Sequence, residues 1–482
     1  MEDTKQLELF TNVYNKMVNT NSTASANSWQ KSYRYLDDLE RITKIIKSRS
    51  IESQQVLSQE YFETNGFYKR IILYYATLLK YCGILIPTPN NGQVVSSKNN
   101  VKKYNEALKY LDKMQIKSFC INAATQALIN GCYYGIKMNQ DKDSFVVLDL
   151  PSNYCRSKFK DYKGNDVIEF DLTYFNTIID QSKKDLILKS YPKITSKAYR
   201  KFQKGQRDRY LFIPSDIGIC FPMPEGRPSF LDIIPSIIRY ENSLEIEMER
   251  EIEEIRKVIV QQIDHLNDGR LLFEPEEVQV MHEGTVNMLR GNPNLSVLTT
   301  YGKVDAITSK TSNESANNLV EKMKENIYSN AGVSSQLFTA TGSTTLKDSI
   351  LSDISFMFSF ACKVSNFITN TINDLFADDN ISFKYNFLAV SEHNKKDFIE
   401  DGFKLASSGY SWLIPAIAMD INQRDLGNLK DLENNVLKLQ DKLIPLQSSY
   451  TQSKESAGAP AKEEENKAEQ TIKNEEALDN AN

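Results

Sequence analysis

SFLDIIPSIIRYENSLEIEMEREIEEIRKVIVQQI, residues 229–263, is the stretch on which the organisation of this chain turns. It is built from strong helix formers, has no glycine, and is interrupted only by Pro235. The Glu-Ile-Glu-Met-Glu alternation at 245–249 has the period of a strand. Length and the Leu, Glu, Arg and Lys content favour a helix, and about 28 helical residues span roughly 42 Å. That is long for a helix of a globular domain.

Downstream, residues 264–310 supply turn signals (Asn267-Asp268-Gly269, Gly284, Gly291-Asn292-Pro293, Gly302) between short apolar runs such as LLF and SVLTTY. They predict a small, irregular β-containing module. A second helix is expected from Thr311-x-x-Glu314, a capping-box pattern, with Ala316, Leu319, Met323 and Ile327 on one face and Asn330 and Gly332 at its end. A compact module is thus held between two helices. The polar stretch TATGSTTLKDSILSD, 339–353, follows. It lacks the several glycines and the Lys-Ser/Thr pair of a phosphate-cradling loop, since Gly342 stands alone and Lys347 precedes Asp348. The clearest periodicity of the chain comes next: Leu346, Ile350, Ile354, Met357, Ala361, Val364, Ile368, Ile372 and Leu375 step by threes and fours, with Thr345-x-x-Asp348 placed to cap the start. ISFKYNFLAV from Ile381 reads as a strand, 392–446 as further helices, and the Ser/Ala/Lys/Glu-rich end from Ser448 as disordered.

Upstream, residues 1–50 are polar, with an amphipathic helix around Tyr35 to Ile46. Phe67, Ile71, Tyr75, Leu78 and Cys82 recur at helical spacing until Gly83, and a Pro/Asn/Gly/Ser loop is expected from Pro87 to Asn100. Helical character from Val101 breaks near Met114 to Lys117 and resumes to Gly131. CYYGIKMNQDKDSFVVLDLP predicts two strands around a turn at Gln140 to Asp143, and SKFKDYKGNDVIEFDLTYF a hairpin turning at Lys163 to Asp166. The fold class is α+β, mainly helical with small mixed sheets.

The chain has 482 residues, 40% hydrophobic and 25% charged, enough to bury sizeable cores. Its formal charge of -5 gives no global nucleic-acid signal. From Ser448 onward there are eight acids against four bases, so the remainder is close to neutral. Six cysteines (Cys82, Cys120, Cys132, Cys155, Cys220, Cys362) without a C-x-x-C pair read as reduced core residues. MEDTKQLELF lacks the basic-then-apolar order of a signal peptide, and the most apolar window, from Ile71, carries Lys80 in its middle. A cytoplasmic start and no membrane span are expected. His265, His282 and His393 occur in no metal-ligand spacing, and neither a G-x-S-x-G elbow nor a Walker loop is present. Glu253 and Glu254 sit in a run dense with glutamate, where a solvated face is the plainer reading than an acid/base pair. No catalytic, cofactor or metal residue is assigned.

Two charged features remain. PKITSKAYRKFQKGQRDRY, 192–210, interleaves Lys197, Arg200, Lys201, Lys204, Arg207 and Arg209 with aromatics, a composition suited to nucleic-acid backbone as well as to a merely exposed basic turn. Glu241, Glu245, Glu247, Glu249, Glu251, Glu253 and Glu254 form an acidic stripe. Repeated around a ring, such a stripe lets DNA slide past rather than bind.

In order and texture the chain resembles the portal proteins of tailed bacteriophages, in the long-tailed branch, from about Ile51 to Ile421. The stretches that carry this are NGFYKRIILYYATLLKYCGILI, ALINGCYYGIKMNQDKDSFVVLDLP, GRPSFLDIIPSIIRYENSLEIEMEREIEEIRKVIV, LLFEPEE and NIYSNAGVSSQLFTATGSTTLKDSILSDISFMF. The resemblance implies a closed ring, dodecameric in assembled members, at one vertex of the capsid of a virion assembled in the bacterial cytoplasm. DNA passes through its axial channel for packaging and ejection.

By the same resemblance 1–50 is an N-terminal segment, 51–228 an α/β wing, 229–256 and 311–331 two stem helices, and 257–310 a clip that meets the large terminase and later head-completion proteins. Residues 332–345 hold the tunnel loop, 346–391 the long helix and strand behind it, 392–447 a short crown, and 448–482 an acidic tail. Thr341, Gly342, Ser343, Thr344, Thr345 and Lys347 would face DNA in the channel. Further partners implied are other copies of the chain and the major capsid protein or scaffold. The competing readings are a nucleic-acid-processing enzyme using the basic stretch, and a non-portal head–tail adaptor, which needs no pair of stem helices.

Overall fold

In the computed structural model the described residues are 38–90, 92, 94–138, 142–162, 164–255, 257–263, 272–289, 295–300, 313–334 and 344–439. Up to Asp420 they form one compact unit, and those from Ile421 belong to a second.

The first unit begins with α1 (38–47), α2 (Ile51–Thr64) and α3 (Gly66–Leu78). Side-chain caps fix the last two starts: Ser50 accepts from Ser53 N and Asn65 from Tyr68 N. The strand β1 (Gly83–Pro89) follows, then α4 (Lys98–Met114) and α5 (Ile116–Asn130), broken at Gln115 in the left-handed conformation where the sequence predicts a break. The lobe beyond holds β2 (Cys132–Lys137), β3 (Val147–Asp149), β4 (Cys155–Lys160), β5 (Asp166–Asp171), α6 (Gln181–Ser190), α7 (Lys193–Gln203), β6 (Tyr210–Ile213) and β7 (Gly218–Pro222). Both expected hairpins are present: β2 pairs antiparallel with β3 and with β7, and β5 with β4 and β6. Tyr133, Phe170, Phe175, Tyr199, Leu211 and Ile213 are buried there.

α8 (Ile234–Ile255) leaves the core and α10 (Asn313–Asn330) returns to it, packed against α8. Between them lie β8 (Lys257–Gln262), α9 (Pro275–Leu289) and β9 (Leu295–Thr300), with β8 and β9 paired in parallel. α11 (Thr344–Phe376) runs back through the core to β10 (Ile381–Phe387), and α12 (Lys395–Ser407) and α13 (Leu413–Ala418) close the unit. The second unit contributes α14 (Gln423–Asp431) and one π turn, Leu432–Val436.

α11 organises the main core. Ile350, Ile354, Met357, Ala361, Val364, Ile368 and Ile372 are all buried on one face, against α3, α4, α5, β7 and β10. Each of these side chains other than Ala361 stabilises the fold by about 1.5–3 kcal/mol relative to exposure. The helix already includes Thr344 and Thr345, so Thr345 is not its cap.

Three further expectations are corrected. The stretch from Pro87 is not all loop, because β1 extends to Pro89 and pairs antiparallel with β10. Lys80 N bonds Val390 O and Asn90 N bonds Asn380 O, so the even-numbered amides face β10. Pro87 and Pro89, which have no N–H to give, face the free edge. The helix expected over 229–256 runs from Ile234 to Ile255 and stops there because KVIVQQ is rich in β-branched residues and pairs with a distant strand. The module after it is a βαβ unit rather than an irregular one. Its helix starts with Pro275 and carries Glu276 and Glu277 in its first turn. Cys362 is exposed rather than in the core, whereas Cys82, Cys120 and Cys132 are buried. The expected cap at Thr311 and the tail from Ser448 lie outside the described residues.

Candidate functional site

Gly131 fixes where α8 begins. It ends α5 with φ +80°, and a Cβ there would stand 2.5 Å from the backbone of Arg227. The chain therefore crosses the end of α5 closely, held by Met223 N to Gly131 O (2.8 Å) and Ser229 N to Leu128 O (3.1 Å), and then enters α8. Phe67 of α3 packs edge-on to Tyr240 of α8 and Tyr328 of α10. Asn330 at the foot of α10 donates to Ser236 Oγ at 2.9 Å, which makes the pair antiparallel. The 22 residues of α8 and 18 of α10 give rods of about 33 and 27 Å.

At the far end, α9 covers β9 through Val278 and Val297, and His282 Nδ1 lies 3.0 Å from Thr299 Oγ1. His282 is a structural histidine. On the outer side of α9, Val280 and Met288 are 69% and 89% exposed. Of the acidic stripe, Glu241 accepts from Asn65 Nδ2 at 2.7 Å, and burial raises its pKa above the ordinary carboxylate value. Glu245 is exposed and Glu247 half-buried, while the side chains of Glu249, Glu251, Glu253 and Glu254 are outside the description.

The foot of α10 meets α11 at a buried polar cluster that the sequence reading missed. Asp353, 4% exposed, receives Tyr74 Oη at 2.9 Å and Tyr75 Oη at 3.0 Å. Tyr75 Oη also lies 3.2 Å from Ala331 O, one residue before Gly332, whose φ is +74°. Burial raises the Asp353 pKa, and the two phenols work against that shift.

Of the loop candidates, Thr341, Gly342 and Ser343 fall outside the described residues. Thr344 and Thr345 occupy the first turn of α11. Lys347 is exposed on the same helix, 3.8 Å from Asp397 Oδ2 of α12.

The structure brings the basic candidates together on one short helix. Lys197, Arg200 and Lys201 are exposed on α7, Lys204 caps its end, and Arg207 and Arg209 follow in the turn to β6. Arg209 is committed to structure. It forms an ion pair with Asp171 and lies beside the Tyr210 ring; burial raises the Asp171 pKa, but Arg209 and Thr173 hold it below the ordinary value.

Elsewhere, Lys137, only 7% exposed, opens onto a polar cleft of about 1100 Å³ with Lys160, Lys363, Asp216 and Asp374. Burial lowers the Lys137 pKa, partly offset by the two aspartates. Asp420 gathers Lys80 and Lys117, each at 2.8 Å. Among the described residues no group of three or more metal-ligating side chains occurs, and no helix is long and apolar enough to cross a membrane.

No family model matches the chain, and no curated protein matches it. Solved structures with a similar course include a chain of the virion of a native gene transfer agent particle (TM-score 0.41, 10% identity, 74% of this chain and 90% of that one). A chain from the neck of an empty particle of that kind, computed with C6 symmetry, gives TM-score 0.40 and 11% identity over 76% of this chain and 91% of that one. Likeness of this degree says nothing of activity, assembly or partners.

Proposed function

We propose that this chain is the subunit of a portal-type ring: copies close around an axial channel at a capsid vertex of a virion, duplex DNA passes through for packaging and ejection, and the subunit itself carries no catalytic residues. What supports this most is the excursion from α8 through the βαβ unit to α10. Two antiparallel helices carry a two-stranded sheet away from the core and return to a junction tied to the longest helix. A two-stranded sheet covered by a single helix has a small core, and among the described residues Ile263, Val278 and Val297 are its buried apolar side chains. The exposed Val280 and Met288, with Ile246 and Met248 on the stalk, are apolar surface that repeated copies would cover.

In this reading the βαβ tip docks the large terminase and then the head-completion or adaptor protein, and the α/β part meets the major capsid protein or scaffold. Thr341, Gly342, Ser343, Thr344, Thr345 and Lys347 border the channel. Many weak phosphate contacts would then collar the moving duplex. Negative-stain microscopy of the purified chain tests the assembly: closed rings with a central hole of duplex width are expected, and monomers or dimers alone under varied salt and concentration reject it.

A further inference from the structure

A dense run of positive charge lies away from the stalk, on the helix pair α6 and α7. Residues 181–204 contain Lys183, Lys184, Lys189, Lys193, Lys197, Arg200, Lys201 and Lys204 against one acid, Asp185. Asp185 accepts from Gln181 Nε2 at 3.2 Å, and Asp180, just before the pair, is occupied as the cap of α6, accepting from Ser182 N at 2.9 Å and Lys183 N at 3.3 Å. Among the described residues none of the eight cations has a carboxylate within 4 Å.

The scaffold beneath is packed and hydrogen-bonded. Thr195, Ala198 and Tyr199 bury the inner face of α7. Tyr199 Oη donates to Asn176 Oδ1 at 2.8 Å, and Ser196 Oγ donates to Leu188 O at 2.7 Å, joining the two helices. The outer face then presents Lys193, Lys197, Arg200, Lys201 and Lys204 at i, i+4, i+7, i+8 and i+11.

Helix stability does not explain this arrangement. Cations at a helix C-terminus are favoured by its dipole, which accounts for Arg200 and Lys201. Lys193 opens α7, and Lys183 and Lys184 stand in the first turns of α6, where the dipole opposes positive charge.

We propose that the outer face of α6 and α7 binds the phosphodiester backbone of double-stranded nucleic acid, as a contact separate from any channel. The stripe from Lys193 to Lys204 extends about 16 Å, over which one duplex strand presents about five phosphates at roughly 3.4 Å each. An acidic protein fits less well. Lysine is depleted in protein interfaces, aromatic anchors dominate them, and the two helices offer no exposed aromatic, only Leu186 of α6 at 71% exposure and Ile194 of α7 at 43%. Without an aromatic on the stripe there is nothing for unstacked bases to sit on, so a duplex is favoured over a single strand.

The test is fluorescence anisotropy of a random-sequence duplex with the full chain over a salt series, with polyglutamate as a second probe. Binding to the duplex is expected, with log K falling linearly in log salt. Lys197→Ala/Lys201→Ala should lower that slope by roughly two, about 0.9 for each lost phosphate contact, and weaken low-salt affinity at least tenfold. Lys396→Ala/Lys404→Ala, which removes two exposed lysines of α12, should leave both unchanged. No duplex binding by the wild type, binding of polyglutamate in its place, or an unchanged slope in the Lys197/Lys201 variant overturns the proposal. Ring formation is scored separately, so loss of one does not decide the other.

Discussion

Tyr75 and Asp353, 278 positions apart in sequence, meet at 3.0 Å in the core, where the Tyr75 hydroxyl also faces Ala331 O at 3.2 Å. That hydroxyl has one proton for two acceptors. With Asp353 protonated, the carboxyl donates to Tyr75 and Tyr75 donates to Ala331, and every group is satisfied. With Asp353 ionised, one of the two acceptors goes short.

A pH dependence follows. Burial raises the Asp353 pKa above its ordinary 3.8, so between the unfolded and folded values the folded state holds a proton that the unfolded chain has released. The resulting stabilisation is complete below about pH 3.8 and is lost as pH rises through the raised folded value. Asp353→Asn, which mimics the neutral form and can still serve both phenols, should flatten the Asp353 contribution to stability in that window and change stability near neutrality by no more than about 1 kcal/mol. Asp353→Leu removes a carboxylate acceptor from Tyr74 and one of the two acceptors of Tyr75, and should cost about 1–3 kcal/mol. Denaturant titrations between pH 4 and 7 separate the two. Equal pH dependence in wild type and Asp353→Asn would contradict the assignment.

Gly131→Ala should be among the most damaging single-atom-group changes in the chain. The residue combines a left-handed φ of +80° with a Cβ position 2.5 Å from the Arg227 backbone, so strain and a clash add to at least about 2 kcal/mol. Gly205→Ala, also left-handed but with open space around it, should cost no more than about 1–2 kcal/mol and serves as the comparison in thermal unfolding.

Lys347 offers a clean division between stability and function. Its pair with Asp397 is long and exposed at both ends, worth 0–1 kcal/mol at most. Lys347→Ala should leave the melting curve unchanged and, if the loop borders the channel, reduce DNA packaging or retention. A variant that packages and retains DNA normally removes Lys347 from the channel.

Thiol chemistry gives an independent check on the core. Burial pushes the Cys82 thiol up to about 11, and raises the Cys120, Cys132 and Cys155 thiols well above their ordinary value. Cys362 is the exposed one. Mild alkylation of the folded, unassembled chain should modify Cys362 first, and Cys362→Ser should remove the fast phase. Rapid modification of Cys132 in that variant would contradict the packing.

Much of this fold was legible because its main helix obeys a single period: every apolar residue from Ile350 to Ile372 that steps by threes and fours is in fact buried. What was missed depends on pairing at a distance. β1 hides behind Pro87 and Pro89, tolerable only because its outer edge is free. α9 was obscured by Gly284, although Pro275, Glu276 and Glu277 mark a helix start. α7 reads in the sequence as a basic turn, although Ala198, Tyr199 and Phe202 repeat at helical spacing under the basic residues. Asp353 was not: nothing local distinguishes it from a surface acid until Tyr74 and Tyr75 are brought to it.

The central claim is that copies of this chain close into a ring, and mass photometry of the purified full chain tests it most directly. The ring account predicts one discrete species at a large fixed multiple of 55.1 kDa, unchanged across protein concentration. Only monomers and dimers, at every salt and concentration tried, would contradict it.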